Sequence, residues 1–162
     1  MSLAQFQPDD KVYHPRSGFG VVRAVQKFDL MGESAAYYEI GLVASGILWV
    51  PVARAEENGL RPLVNSLVAI MAELHAEVRP LPENGRQRMS ELNARWLASE
   101  PSVLVQTVRD LAGCGRSHPL TASERKWLAR AVERLSVEAS LLDAADVATA
   151  AAQIWSELGL SA

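Results

Sequence analysis

The stretch LTASERKWLARAVERL, residues 120–135, carries a row of basic residues. Arg125, Lys126, Arg130 and Arg134 are spaced so that one α-helix would display them together. Guanidinium and ammonium groups in such a row can hold phosphates, and each phosphate contact releases counterions from a nucleic acid. Many basic helices are instead solvated surfaces without a ligand, so the row alone leaves both interpretations open.

The remaining residues give little indication of a catalytic or metal-binding site. Cys114 is the only cysteine, which excludes an intramolecular disulfide and a zinc site built on several thiolates. His14, His75 and His118 lack the short spacings that direct two ligands at one metal. No G-x-x-x-x-G-K-[ST] phosphate loop occurs. We therefore expect no catalytic residue, no metal, no cofactor and no small-molecule substrate.

The composition predicts a globular protein with one or two small domains. Of the 162 residues, 49% are hydrophobic and 22% are charged, a balance that allows a buried core. No apolar run approaches the length of a membrane-spanning helix, and the first residues lack a basic region followed by an apolar stretch. We expect a soluble cytoplasmic protein without a membrane partner.

The charges are distributed unevenly along the chain, whose net charge is -3. Residues 79–134 hold ten Arg and Lys against six Asp and Glu, a net charge of +4. Residues 135–162 contribute -4, and residues 1–78 contribute -3. A basic segment inside an acidic protein is compatible with binding to a polyanion.

Two kinds of periodicity divide the chain. Between residues 10 and 52, short runs rich in Val, Ile and Tyr alternate with turn signals: KVYHP, GVVRAVQKF, AAYYEIGLV and GILWVPV. This pattern predicts a small β-barrel or a strongly bent sheet. Gly18, Gly20 and Gly59 are interpreted as turn formers. Tyr37 and Tyr38 point to opposite faces of their strand, so one of them is expected in the core.

Helical periodicity begins near Val64 and predicts about five helices. The first is capped by Asn65 or Ser66, and the second covers roughly residues 85–98. The third contains VLVQTVRDLA and is expected to stop at Gly113 and Gly115. A capping box of Thr121 and Glu124 starts the fourth, and the last runs from about Asp143 to Leu158, with Gly159 ending it.

Several stretches resemble the CarD/CdnL-like family of bacterial transcription regulators. FQPDDKVYHPRSGFGVVRAV, GESAAYYEIGL, WVPV and GLRPL resemble the N-terminal domain of this family, a module that also occurs in transcription-repair coupling factor. LASEPSVLVQTVRDLAG and LTASERKWLARAVERL resemble the helical C-terminal domain. The order and spacing of these stretches carry the resemblance, which covers nearly the whole chain.

The resemblance implies an α+β protein with a Tudor/SH3-like β domain over residues 1–63 and an all-α domain over residues 64–162. The β domain would bind the β subunit of RNA polymerase. The helical domain would contact promoter DNA on its backbone and minor-groove side, near the upstream edge of the bubble, and stabilise the open complex. No enzymatic activity is implied. Two alternatives remain: an adaptor whose helical domain does not contact DNA, and a Tudor- or SH3-like module for another protein.

For the polymerase contact, the resemblance indicates Phe28 and Trp49, and Val50 and Pro51 would shape an edge strand that a partner strand could extend. Trp49 is either an interface anchor or a core residue. The candidate DNA contacts are basic: Arg86, Arg88, Arg125, Lys126 and Arg130.

Three further residues are assigned to packing. Trp96 and Trp127 are expected in the core, and Arg109 is expected to pair with Asp110 or with a neighbouring helix. Family members that act on DNA place a wedge Trp where this chain has PENGRQR. The resemblance therefore does not extend to an aromatic wedge at this position.

Overall fold

The structure is a computed structural model that describes residues 5–98 and 100–160. The chain divides between Leu63 and Val64 into two compact units, called here the β unit and the helical unit. The predicted domains 1–63 and 64–162 also include residues 1–4, 99, 161 and 162, which lie outside the described residues. The predicted α+β class is confirmed: a small β domain precedes an all-α domain, with five α-helices in the described part of the chain.

The β unit contains a five-stranded antiparallel sheet of order β4-β3-β2-β1-β5. Its strands are β1 (Lys11–His14), β2 (Gly18–Leu30), β3 (Glu33–Leu42), β4 (Ile47–Pro51) and β5 (Arg61–Pro62). Met31 and Gly32 connect the two longest strands, with φ of 54° and 86°. Two successive positive φ values suit the right-handed twist of a hairpin. The sequence pattern did not predict β5, because a two-residue strand exists only through its pairing with β1.

Alternate strand residues build the core of the β unit. Val22, Tyr38, Ile40 and Val50 are all buried in it. The Tyr38 hydroxyl accepts a 3.2 Å hydrogen bond from the Phe6 N–H, which satisfies a polar atom inside this core. Tyr38 is thus the core member of the tyrosine pair, as the alternation predicted for one of the two.

Gly18 and Gly20 are required for different structural reasons. Gly18 has φ of 85° at the start of β2, which agrees with its predicted turn role. Gly20 lies inside β2, and a Cβ there would lie 2.9 Å from the carbonyl oxygen of Gly41. The turn interpretation of Gly20 is wrong, since close approach of the neighbouring strand is what excludes a side chain.

The helical unit contains α1 (Leu67–Leu74), α2 (Gly85–Trp96), α3 (Pro101–Ser117), α4 (Ala122–Asp143) and α5 (Val147–Leu158). Ser66, one of the two predicted caps, begins α1 by accepting a 3.2 Å hydrogen bond from the Ala69 N–H. The predicted capping box begins α4, and Gly159 ends α5 with φ of 66°. Asp146 caps α5, so this helix starts later than predicted, because α4 itself continues as far as Asp143.

The predicted helix stops at Gly113 and Gly115 are wrong, because α3 passes through both residues. A Cβ at Gly113 would lie 2.5 Å from Cγ1 of Val78, and one at Gly115 would lie 3.0 Å from Cγ of Leu120. These glycines leave room for segments that pack across the helix. The helix tolerates them because burial of its apolar face outweighs their low helix propensity.

A charged cluster is buried beside α3. Arg109 donates through Nε to Asp110 Oδ1 and through Nη1 to Glu73 Oε1, both at 2.9 Å. Asp110 Oδ1 also accepts a 2.9 Å hydrogen bond from the backbone N–H of Arg79, in the segment between α1 and α2. The predicted structural pairing of Arg109 is confirmed, and Asp110 fixes the course of that segment.

Candidate functional site

The sheet of the β unit has an exposed face opposite its core. Since Tyr38 and Val50 point inward, their neighbours Tyr37, Glu39 and Trp49 point outward. Trp49 lies directly opposite Glu39 in the register of β3 and β4. Phe28 of β2 pairs with Ala35, two residues before Tyr37, and therefore projects from the same face.

Three aromatic rings meet on this surface, which we call the aromatic face: Phe28, Tyr37 and Trp49. The Phe28 centroid lies 5.4 Å from Trp49 and 5.7 Å from Tyr37, both in edge-to-face geometry. Such pairs hold rings in fixed orientations. Phe28 is 38% exposed and Trp49 is 42% exposed. Of the two roles open to Trp49, the structure therefore supports the surface one.

Strand β4 is one of the two edges of the sheet and pairs with β3. The Val50 side chain is buried in the core, so this predicted contact residue can offer a partner only its backbone. Pro51, the last residue of β4, lacks an N–H and limits how far a partner strand could pair. An edge strand beside exposed rings is a geometry suited to strand addition.

The exposed side of α4 carries three of its basic residues. Arg125, Lys126 and Arg130 are all exposed, and we call them the basic stripe. Arg125 Nη1 donates a 2.6 Å hydrogen bond to the Leu120 carbonyl, and the Arg130 guanidinium lies 4.8 Å from the Trp96 centroid. These contacts hold two of the three cations in position, while leaving their surface accessible.

Trp96 and Trp127 form an edge-to-face pair between α2 and α4, with centroids 5.8 Å apart. Trp127 is buried, and Trp96 is half-buried and packs against the same core. Arg134 lies 5.1 Å from the Trp96 ring and donates through Nη1 to the Trp96 carbonyl. The core interpretation of both tryptophans is confirmed, and Trp96 additionally supports the cations beside it.

The two predicted contacts on α2 have different roles. Arg86 is exposed in the first turn of the helix, and its backbone N–H donates a hydrogen bond to Asn84 Oδ1. Arg88 is largely covered: Nε donates to Glu124 Oε1 at 2.5 Å, and Nη1 donates to the carbonyls of Pro82 and Glu83. The structure places Arg88 in an internal ion pair, so a phosphate would have to displace Glu124. Arg88 is therefore no longer a candidate contact for DNA.

The electrostatics of Glu124 follow from this pairing. Burial raises the pKa of its carboxyl, but the hydrogen bond from the Thr121 N–H and the Arg88 guanidinium outweigh burial. The pKa therefore lies below its ordinary value. Glu124 remains charged near neutral pH and joins the first turns of α2 and α4.

Glu39 is a surface group of the aromatic face that the sequence pattern did not single out. Its Oε2 accepts a 2.7 Å hydrogen bond from Gln26 Nε2. Strand alternation could have predicted the position of Glu39. Once Tyr38 is assigned to the core, the next residue of the strand must face the opposite side.

Metal-binding and membrane-spanning features are absent from the described part of the chain. No three His, Cys, Asp or Glu side chains among these residues are grouped so that they could hold a metal ion. No helix in residues 5–98 and 100–160 has the length and apolarity needed to cross a membrane.

Comparison with known proteins identifies the class of the β unit. Residues 6–64 match the model of the CarD-like/TRCF RID domain. Over 143 residues the chain is 26% identical to YdeB of Bacillus subtilis (strain 168), whose name provisionally describes a transcription factor; the match covers 85% of this chain and 92% of YdeB. The solution structure of the 72-residue N-terminal domain of Myxococcus xanthus CarD is 19% identical, with a TM-score of 0.32, and the match covers 38% of this chain and 84% of that one.

The β unit is thus similar to the RID domain of CarD-like proteins and TRCF. The similarity to YdeB extends over both units of the chain.

Proposed function

We propose that this protein is a transcription initiation regulator that binds the β subunit of RNA polymerase and stabilises the promoter open complex. The observation that carries the proposal is the aromatic face, which lies beside the edge strand β4 within the RID-matching region. Exposed, oriented aromatic residues are typical anchors of protein interfaces. An exposed sheet edge adds main-chain hydrogen bonding to that anchor.

The helical unit would supply the contact with DNA. The basic stripe and Arg86 are exposed and could lie against phosphates upstream of the bubble. Each such contact adds salt-dependent affinity. A bridge that touches DNA only after melting binds the open complex more tightly than the closed one, and only such a difference shifts the equilibrium. About 1.4 kcal/mol is enough for a tenfold shift.

The first experiment measures binding of the full chain to purified RNA polymerase and to its isolated β subunit. We expect both to bind, and we expect Trp49→Ala to weaken binding on the order of tenfold, because it removes an interface anchor. Failure of polymerase to bind the full chain, at low as well as moderate ionic strength, would refute the proposed function.

The second experiment measures the lifetime of a promoter open complex with saturating protein. Lys126→Ala/Arg130→Ala removes two charges of the basic stripe, whereas Arg54→Ala/Arg79→Ala removes two exposed charges elsewhere. We expect only the first variant to shorten the lifetime severalfold and to reduce its salt dependence. Equal effects of the two variants would count against a specific DNA contact.

A second candidate function is an adaptor that binds polymerase without touching DNA. It is favoured by the absence of a Trp in residues 83–86 and by the burial of Trp127. Promoter footprints with polymerase distinguish the candidates. Protection upstream of the bubble that depends on the basic stripe supports the DNA contact, whereas an unchanged footprint with intact polymerase binding supports the adaptor.

A further inference from the structure

Glu39 is an acidic group at the centre of the surface that the proposed function would bury. It lies opposite Trp49 in the sheet, on the side of the rings. Oε2 accepts the hydrogen bond from Gln26, which fixes the orientation of the carboxylate. Among the described residues, Glu39 takes part in no ion pair.

Between the β2–β3 turn and Glu39, the charged residues on the face of the rings have one sign. From Ala24 to Leu30 and from Glu33 to Glu39, the alternate residues that project from this face include two charged ones, Glu33 and Glu39. Lys27 and Asp29 project from the opposite face. Arg23, at the register shift of β2, lies over Gly41, two residues along β3 from Glu39 and on the same face, but it makes no ion pair with Glu39.

A docked partner must compensate Glu39. Gln26 donates to one oxygen of Glu39 but leaves its charge unpaired, and burying an unpaired charge costs several kcal/mol. An apolar partner segment would therefore dock poorly, and an anionic one would be repelled. A basic side chain meets both requirements of the site, since it neutralises the carboxylate and is attracted to the face of the indole ring.

We propose that Glu39 and Trp49 together form a receptor for an arginine side chain of the polymerase β subunit. The inference rests on the proposed function and names the chemistry of its partner. Arginine is preferred to lysine because its planar guanidinium can stack on the Trp49 indole while donating to the Glu39 oxygen that Gln26 does not occupy. Phe28 packs edge-to-face with the indole and so keeps the stacking surface in place.

The test compares four full-length proteins for binding to purified RNA polymerase over a range of salt concentrations. Glu39→Gln removes the charge but keeps an oxygen for Gln26. Trp49→Leu keeps apolar area but removes the π system. Glu33→Gln is the matched control, because it removes the same charge from the same face, six residues along β3 from Glu39 and beyond the rings.

We expect Glu39→Gln and Trp49→Leu each to weaken binding between about threefold and thirtyfold, mainly through faster dissociation. Glu39→Gln should also flatten the salt dependence, whereas Glu33→Gln should stay within about twofold of the parent protein. Equal effects of Glu39→Gln and Glu33→Gln, or no effect of either, would overturn the arginine receptor while leaving polymerase binding intact. Absence of binding by the parent protein would refute the proposed function itself.

Discussion

Arg88 Nε donates to Glu124 Oε1 at 2.5 Å and so joins the first turn of α4 to the first turns of α2. The Glu124 side chain is 1% exposed and that of Arg88 is 15% exposed. The other oxygen of Glu124 accepts from the Thr121 N–H, so a single carboxylate completes a helix cap and an ion pair between helices. A residue predicted from the sequence to bind DNA is thus part of the internal structure of the helical unit.

Loss of one partner of this pair should destabilise the helical unit strongly. We expect Arg88→Met to lower the free energy of unfolding by about 3 kcal/mol, because it leaves the buried Glu124 carboxylate uncompensated. Urea denaturation followed by circular dichroism measures this change. Arg86→Ala, two residues earlier and exposed, is the control and should change stability by less than about 0.5 kcal/mol. Equal stability of the two variants would contradict the structural role of Arg88.

The same pair predicts how stability depends on pH. The pKa of Glu124 lies below its ordinary value of 4.5 in the folded protein, so the unfolded chain takes up a proton first as the pH falls. The stabilisation that the ionised Glu124 carboxylate provides is complete above the ordinary pKa. It is lost as the pH falls through the lower pKa of the folded protein. Glu124→Gln should therefore be less stable than the parent protein at neutral pH. Midpoints of urea denaturation should show this difference shrinking as the pH falls below 4.5.

His14 should titrate below an ordinary histidine. Burial, and then the charge of Arg16, lower the pKa of its imidazole from 6.5. Its Nδ1 accepts hydrogen bonds from the backbone N–H groups of Arg16 and Ser17, at 3.3 and 3.2 Å, and protonation would remove this acceptor. NMR titration of the ring protons should give a lower midpoint in the folded protein than in urea. Equal midpoints would contradict the hydrogen-bonded turn.

Gly113 tests the packing of the α1–α2 segment on α3. An alanine inside a helix normally stabilises it by about 1 kcal/mol relative to glycine, but here its Cβ would collide with the branched side chain of Val78. We expect Gly113→Ala to destabilise by about 1–3 kcal/mol. Gly85→Ala, at the start of α2, has open space around its Cβ and should be neutral or stabilising.

The double variant Val78→Ala/Gly113→Ala checks the cause of this effect. Removing the branched side chain should restore most of the stability lost in Gly113→Ala. Additive losses in the double variant would show that the collision with Val78 is not the reason for the glycine.

Local signals in the sequence predict much of the fold correctly. The capping box of Thr121 and Glu124 and the stop at Gly159 are confirmed, because each depends on hydrogen bonds or φ angles within a few residues. Strand alternation likewise predicts that one of Tyr37 and Tyr38 is core, since its period is set by the backbone. Glycine predicts local structure less well in this chain. At Gly20 and Gly113 a side chain is excluded by neighbours that are distant in sequence.

The sequence by itself determined the order of the four longer strands and of the helices, the change of period near Val64 and the clustering of basic residues, since all three are properties of neighbouring positions along the chain. Only the tertiary structure decided that Arg88 pairs with Glu124, 36 residues away, while Arg130 stays exposed. It also decided that Trp49 and Glu39 share an open face of the sheet. Whether a charge is paired or an aromatic ring is covered depends on which distant segments pack beside it, and no local pattern encodes that choice.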